Sequence, residues 1–495
     1  MKKIAKIFLC LLICILSSCA SSKVEKKENL QTVETANSNK KIKPIKYNEQ
    51  KYQQAYQNRD YQTCLGMLLH KTKKKADIRD NLDLGMLYFL TGDYAQASAI
   101  FEKADAQMYD SVTKSVTRTI AKTVGNENAK EYTGNVYEYL LVNTMNSLCY
   151  YLLGDMNNAV NQLTKLSDLK LPEYRRLYGE VNINNELDSS AQENFKSNMN
   201  SLKSFSIDSS VFTTASPKKP TENDVYKESA LARYLSLILR QADGDKSQID
   251  SDTMVLKSLI KDFDDSASRI PQDKGRIDIL ALAGLIGKQT PGELYFPSKS
   301  TFFFIPTGNS RCKVLPLQFK FVYPVYNKTS TVAGIEVVLN NVGTKKASLI
   351  ENFNTDLEKS VKLRAYKEYN ASMARSMAKK ITAVVAGIAS INASYVTFKQ
   401  VASNSIASSL ALLAFDALCE STKAGLLAVD LTETPDIRQG EFFPETANAA
   451  GFTVPAGVYS GKVIYRFTDG TVFEEPFCTE VNAGKPALVV SSCIR

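Results

Sequence analysis

The chain contains one histidine, His70, and no tryptophan. A Ser-His-Asp triad, a Cys-His pair or a zinc site with two or more histidine ligands would have to be built on that one imidazole, which sets these chemistries aside. His70 is followed by Lys71-Thr72-Lys73-Lys74-Lys75 at the end of a predicted helix. A cation there complements the helix dipole, so His70 reads as a surface residue. No basic run with interleaved aromatics follows the first 47 residues, which argues against nucleic acid as a partner. No two cysteines stand in a Cys-x-x-Cys pair. Paired carboxylates hydrolyse glycosides without histidine. Asp436, Glu441 and Glu445 are candidates for such a hydrolase of envelope polymers, but among 52 acidic residues some pairing is inevitable. The expectation is a non-enzymatic protein with no cofactor and no metal.

What is present begins at the N-terminus. Met1-Lys2-Lys3, with Lys6, forms a short positive region, and Ile4 to Leu16 is an apolar run broken only by Lys6. Leu16-Ser17-Ser18-Cys19 follows. This order reads as a secretory signal peptide over residues 1–18. The last four residues resemble a lipobox, the site where a lipoprotein signal peptidase cuts before cysteine. That resemblance implies an acylated Cys19 as the membrane anchor. Each buried CH₂ contributes ~0.8 kcal/mol, so several acyl chains hold where one would not. Ala20-Ser21-Ser22 lacks the Asp that resembles an inner-membrane retention signal, which makes the outer membrane the expected destination. Residues 20–47 are poor in apolar groups, so together with Cys19 they read as a flexible tether reaching on the order of 30 Å.

Removal of the signal peptide takes away Lys2, Lys3 and Lys6, which leaves a small, scattered positive excess. Cys10 and Cys14 leave with it. Cys64 and Cys149 sit on predicted apolar helix faces, where a free cysteine behaves as a small core residue. Cys478 and Cys493 lie in neighbouring strand-like segments, compatible with a disulfide in an oxidising compartment or with two buried thiols.

Residues 48–295 read as helical pairs. Leu84-Gly85, Tyr88, Gly92-Asp93-Tyr94, Ala97, Phe101 and Ala104 resemble a tetratricopeptide repeat in register. Gly92-Asp93-Tyr94 turns the chain, Ala97 lets two helices approach, and Phe101 fills the groove between them. Ala55, Asp60, Tyr61, Cys64 and Leu68 repeat the pattern 33 residues earlier, with Asn58-Arg59-Asp60-Tyr61 as the turn. Tyr150, Gly154, Asp155, Ala159 and Leu163 repeat it 62 residues later, after a longer linker at Lys122–Tyr132. A weaker pair begins near Asp224 and turns at Gly244-Asp245, and another is expected between Met254 and Leu285. Residues 172–223, with Pro172 and Pro217-Lys218-Lys219-Pro220, interrupt the array. Stacked helix pairs form an α-solenoid whose concave surface binds a protein or peptide.

Residues 296–495 change character. Thr301–Ile305, Leu317–Val322, Gly334–Leu339, Phe452–Val454, Gly457–Tyr465, Val472-Phe473 and Ala487–Val490 read as strands, with Asp469-Gly470 as a hairpin turn. Neither strand group alone supplies two faces, so the two are expected to complete one β-sandwich. A helical insertion at about 353–428 separates them. Its segments Ile381–Tyr395 and Ile406–Leu418 are apolar and rich in Ala and Ser, shorter than the ~20 residues of a membrane span, and interrupted by Lys399 and Asp416. The expected arrangement is a buried hairpin, with membrane insertion by 381–418 as the alternative. The expected fold class is α+β: an all-α solenoid followed by a β-sandwich with a long helical insertion.

Further marks are Gly85-Met86-Leu87, Gly92-Asp93-Tyr94, Tyr137-Glu138-Tyr139-Leu140-Leu141, Asn146-Ser147-Leu148, Tyr150-Tyr151-Leu152 and Gly154-Asp155. Later come Val429-Asp430-Leu431, Asp436-Ile437-Arg438-Gln439 and Val454-Pro455-Ala456-Gly457. With these, the chain resembles a family of uncharacterised bacterial lipoproteins with tetratricopeptide-like N-terminal repeats, over nearly the full mature length. It departs from that pattern in having no Trp after Asp436-Ile437-Arg438-Gln439. It also carries Asn161-Gln162-Leu163-Thr164 where the family has an Arg-rich end to the third repeat. The family has no settled activity, so the resemblance implies architecture and location. The functional expectation is an outer-membrane-anchored scaffold in the cell envelope that holds a protein partner on its solenoid.

Overall fold

Four helix-to-helix turns in the first half share one construction. The helices are α1 (Glu49–Asn58), α2 (Tyr61–Lys71), α3 (Ile78–Leu90), α4 (Tyr94–Arg118), α5 (Val136–Leu152), α6 (Met156–Lys165), α7 (Leu171–Tyr174), α8 (Ala230–Asp243) and α9 (Ile249–Leu259). At each turn a residue with positive φ ends the first helix: Arg59 (59°), Gly92 (82°), Gly154 (79°) and Gly244 (95°). The next residue is an aspartate whose N–H reaches back to a carbonyl five residues earlier: Asp60 to Ala55, Asp93 to Tyr88, Asp155 to Tyr150 and Asp245 to Arg240, at 2.8–3.0 Å. These bonds satisfy carbonyls that a helix end leaves open. Asp60, Asp93 and Asp155 then cap the following helix by accepting from the N–H of Thr63, Gln96 and Asn158. This repeated chemistry is what the spacings of 33 and 62 residues expressed.

The computed structural model describes residues 42–118, 132–174, 215–302, 305–307, 311–313, 316–401 and 405–494. Cys19, the signal peptide, the tether up to residue 41 and most of the 122–132 linker lie outside the described residues. Residues 42–47, read as the end of the tether, instead lie against α2. The N–H of Ile45 donates to the carbonyl of Gly66 at 2.8 Å.

Helices pack in antiparallel pairs through small residues. Ala97, Cys64 and Ala159 occupy equivalent places and are fully buried. Gly85 on α3 faces Phe101 on α4, and a Cβ at Gly85 would stand 2.5 Å from the Phe101 ring. Ser147, the equivalent of Gly85 in the third pair, donates to the carbonyl of Ala159 at 2.7 Å. Leu84, Phe101 and Ala104 are buried, and Tyr94 packs edge-on against Phe89 with centroids 5.5 Å apart. Tyr88 sits partly buried at the edge of the same core.

The helix pair expected between Met254 and Leu285 is not formed. Residues 249–259 are α9, but Lys274–Leu285 is strand β1, followed by β2 (Gln289–Phe302), β3 (Ile305–Thr307), β4 (Arg311–Lys313), β5 (Pro316–Tyr326), β6 (Val332–Leu339), β7 (Gly343–Lys346) and β8 (Ser348–Asn352). The helical region therefore ends before Lys274 rather than at 295. The reason is visible in β1. Leu280 and Leu282 face the helices, while Ile277, Ile279, Ala281 and Ala283 face a second sheet. A strand buried on both faces has a continuous apolar run, which periodicity cannot tell from a buried helix.

Two long helices follow, α10 (Phe353–Val401) and α11 (Ser405–Thr432), and then β9 (Pro444–Pro455), β10 (Gly457–Phe467), β11 (Val472–Val481) and β12 (Pro486–Cys493). One mixed sheet has the order β12-β1-β9-β8, with β1 parallel to β12 and antiparallel to β9. The other is antiparallel, β11-β10-β6-β7. They share an apolar core containing Ile279, Val337, Phe452, Val463 and Tyr465. The two strand groups thus combine, as β6 pairs with β10 across the helical insertion. The expected turn at Asp469-Gly470 joins β10 to β11, with Asp469 accepting from the N–H of Thr471. A separate hairpin, β2–β5, lies under α10, where Tyr369 contacts Phe321 and Tyr323 edge-on.

The chain is therefore α+β, with N-terminal helices in packed pairs followed by mixed and antiparallel sheets and a long helix. At 1.5 Å per residue, α10 is about 70 Å long. Among the described residues no helix is long and apolar enough to cross a membrane. The hairpin α10–α11 is not fully buried either, since Leu413 is 65% exposed.

Gly85→Ala should destabilise the chain by about 1–3 kcal/mol, because Phe101 is fully buried and has to move. Gly92→Ala, with open space around it, should cost only the ~1–2 kcal/mol of a left-handed alanine. Chemical denaturation followed by circular dichroism measures both. Equal stability of Gly85→Ala and the parent would contradict this packing.

Candidate functional site

His70 accepts from the N–H of Tyr47 at the end of α2. The three candidate carboxylates are each held by the fold. Asp436 receives two hydrogen bonds from the Arg438 guanidinium at 2.8 and 2.9 Å. Burial alone would raise Asp436, but these bonds and the charge of Arg364 outweigh it and hold the carboxyl below its usual range. Glu445 is fully buried and accepts from the Ser330 hydroxyl and from both the N–H and hydroxyl of Thr331. Glu441 lies 3.7 Å from the Lys288 ammonium. No group of three or more His, Cys, Asp or Glu side chains is placed to hold a metal ion among the described residues.

Cys64, Cys149, Cys478 and Cys493 are free thiols. Cys64 and Cys149 are buried, as expected. Burial pushes the Cys64 thiol up to about 12, so it is no nucleophile at neutral pH. Cys478 and Cys493 are not bridged. The strand alternation turns Cys478 towards solvent and Cys493 into the core between the sheets.

The groups that the fold does bring together lie along the inner side of the helix pairs. Eight successive residues of α3, Asp80 to Leu87, are buried, as are thirteen of α5, Tyr137 to Cys149. A surface helix buries one stripe; these are covered all round. Their partners on one side are α4 and α6. On the other side they meet the chain's own sheet and the segment leading into β9, as Leu280, Leu282, Phe442, Phe443 and Leu488 share their core. The inner faces of these helices are therefore covered by the chain itself.

That segment is received as an extended peptide would be. The Glu138 carboxylate accepts from the N–H of Gly440 at 2.6 Å, the N–H of Asn135 at 2.6 Å and the hydroxyl of Tyr132 at 2.5 Å. Asn135-Val136-Tyr137-Glu138 also forms the capping box of α5. Asn135 Nδ2 donates to the carbonyl of Arg438 at 3.3 Å, and Asp83 Oδ1 accepts from the N–H of Glu441 at 2.6 Å. Phe442 packs edge-on against Tyr56, and Phe443 against Tyr137. Burial raises the Glu138 carboxyl, although the donated hydrogen bonds oppose it. Asp83 is pushed well above the usual carboxylate range by burial and by the charge of Glu441.

The same pattern recurs elsewhere on this inner side. The hydroxyls of Tyr151 and Tyr234 donate to the carbonyl of Leu488 at 2.7 Å and to Asp278 at 2.9 Å. Glu351 on β8 accepts from the hydroxyls of Tyr226 and Ser229 and from the N–H of Leu231, so a sheet carboxylate caps α8. No family model, curated protein or solved structure matches this chain.

Two further features lie outside this seam. An open cleft of about 290 Å³ is lined by Lys75, Asp77, Gln107, Asp110, Tyr132 and Arg438 among others. Its Arg438 guanidinium lies over the Tyr132 ring and is paired with Asp436. The second feature is the base of the α10–α11 hairpin. There Lys380 meets Asp430 at 2.7 Å, Lys379 meets Glu433 at 2.7 Å, and Arg375 meets Glu433 at 3.4 Å. Lys380 and Glu433 are buried. Sequence reading missed the seam carboxylates, although Glu138 and the 436–439 run each stood in a conspicuous motif.

Asp83 separates the two terms of the seam. Its raised value means that its contribution is present below the unfolded value of about 4 and is lost as pH rises through the folded one. Asp83→Asn keeps an acceptor for Glu441 and removes the charge. Its stability relative to the parent should therefore rise between pH 4 and pH 8. Asp83→Leu leaves the Glu441 N–H unsatisfied and should be about 1–3 kcal/mol less stable than Asp83→Asn throughout that range. Urea unfolding at several pH values measures this, and a pH-independent difference for Asp83→Asn would contradict the raised carboxyl.

Proposed function

We propose that this chain is a lipoprotein held in the outer membrane through Cys19 and acting as a non-enzymatic interaction scaffold in the cell envelope. In this reading the helix pairs are tetratricopeptide-like and the two four-stranded sheets form a β-sandwich. The repeated Gly-Asp turn, the small residue at Cys64, Ala97 and Ala159, and the Gly85–Phe101 contact support the first assignment. The core shared by the two sheets supports the second. The lipobox-like Leu16-Ser17-Ser18-Cys19 supports the anchor.

One observation carries the scaffold reading and also changes where its contact surface lies. The inner helix faces are filled by the chain's own 438–443 segment and β1, so a partner is not offered that groove. The surface offered instead is the α10–α11 hairpin, clasped at its base by buried ion pairs and carrying exposed Leu413, Leu427 and Leu431. Removing one member of a buried pair costs about 3–5 kcal/mol, so the clasp holds the two arms of the hairpin together.

Cys19→Ser should move most of the protein from the membrane fraction to the soluble envelope fraction. Retention on the membrane would contradict the lipid anchor. Photo-crosslinking residues placed at Leu427 on the hairpin and at Lys103 on α4 should capture an envelope protein in intact cells from the hairpin position. Capture from neither position would overturn the scaffold.

A further inference from the structure

Helix α11 has two faces of different fate. Thr422, Leu426, Val429 and Glu433 turn towards α10, and the Thr422 side chain lies on Gly387, where a Cβ would be 2.5 Å away. Leu413, Ala417, Glu420, Ala424, Leu427 and Leu431 form the opposite face, and all six are exposed. Leu427 and Leu431 are 61% and 81% exposed. The steps along this outward stripe alternate between four and three residues. That is the 3.5-residue period of a coiled-coil seam rather than the wider stripe of a helix facing a core.

The order of residues along the stripe is a palindrome. Reading outward from Glu420, alanine stands on both sides at 417 and 424, then leucine at 413 and 427. In sequence the symmetry continues to Leu410 and Leu431. A palindromic seam is complementary to itself run backwards, which is the requirement of a twofold, isologous contact between identical helices. Leucine meets leucine at the outer layers and alanine meets alanine next to the axis, where small side chains allow close approach. The one charge in the seam has its counterion at hand. Lys423 pairs with Glu420 at 2.8 Å within the helix. A second, antiparallel α11 brings another Lys423 beside each Glu420, so four charges of alternating sign surround the axis.

We propose that two copies of the chain pair through the outward stripe of α11, antiparallel, with Glu420 at the twofold axis. This rests on the reading of the hairpin as the contact arm and names its occupant as a second copy of this chain.

The test uses the full mature chain in intact cells, with Cys312, Cys419 and Cys478 replaced by Ser and copper phenanthroline as oxidant. Glu420→Cys lies on the axis and should give a disulfide-linked dimer with itself. Leu413→Cys should not, because its counterpart in the partner lies about 20 Å away along the axis. Co-expressed Leu413→Cys and Leu427→Cys chains should cross-link to each other. Leu427→Glu with Leu431→Glu should abolish the dimer on sedimentation while leaving the thermal midpoint of the chain unchanged, as both positions are exposed. Self-linking of Leu413→Cys would show a parallel pairing and overturn the proposal. A monomer at tens of micromolar would also overturn it. So would protection of Glu420→Cys from a membrane-impermeant maleimide in a monomeric, vesicle-bound chain, which places the stripe in lipid. A monomer that still captures an envelope protein through the hairpin removes the dimer and keeps the scaffold. A dimer that captures no other protein keeps the dimer and removes the scaffold.

Discussion

The Glu138 carboxylate is the contact on which the rest of the structure turns. It closes the capping box that starts α5, and it receives the N–H of Gly440 from a segment 302 residues away. Asp83 does the same for Glu441 across 358 residues. Each is a backbone hydrogen bond to a buried carboxyl, where an unmet donor is costly and a met one fixes register. With the segment held there, Phe442 and Phe443 enter the core between helices, and β9 begins at Pro444 in register with Leu285 of β1. Helices and sheets are in this way parts of one folded body, and the described residues all fall in one compact unit.

This explains why an array of helix pairs exposes so little of its inner side. A solenoid in isolation leaves a groove for a ligand. Here the inner faces of the helix pairs are covered by the chain that follows them, with backbone donors on buried carboxyls and aromatic side chains between the helices. In the proposed scaffold the binding surface lies instead on elements that the fold leaves exposed. The α10–α11 hairpin is such an element. Its base is made of ion pairs among Arg375, Lys379, Lys380, Asp430 and Glu433, which hold its two arms together, and its outward leucines Leu413, Leu427 and Leu431 are exposed.

The helix pairs were legible in the sequence because their determinants are local. A Gly or Arg in the left-handed region, an Asp cap and a small residue four positions on occur within a few residues of one another. The hairpin turn at Asp469-Gly470 and the helical span near 353–428 were legible for the same reason. Strand β1 was not, because burial on both faces erases the alternation that marks a strand. The seam was not legible either. Tyr137-Glu138 and Asp436-Ile437-Arg438-Gln439 stood out separately, but no local signal says that Glu138 and Asn135 meet the backbone of Gly440 and Arg438. The tyrosines at 56, 137, 151 and 234 were a weak signal. They are amphipathic side chains on helices that turned out to have polar acceptors on their far side.

The central claim is that the helix pairs and the sheets are stabilised as one body by this seam. Native-state hydrogen exchange tests it most directly. The most protected amides of α3, α5, β1 and β9 should open with one common free energy, and Glu138→Ala should lower all of them together. Exchange of α3 and α5 at a free energy separate from β1 and β9, with Glu138→Ala affecting the helices alone, would contradict it.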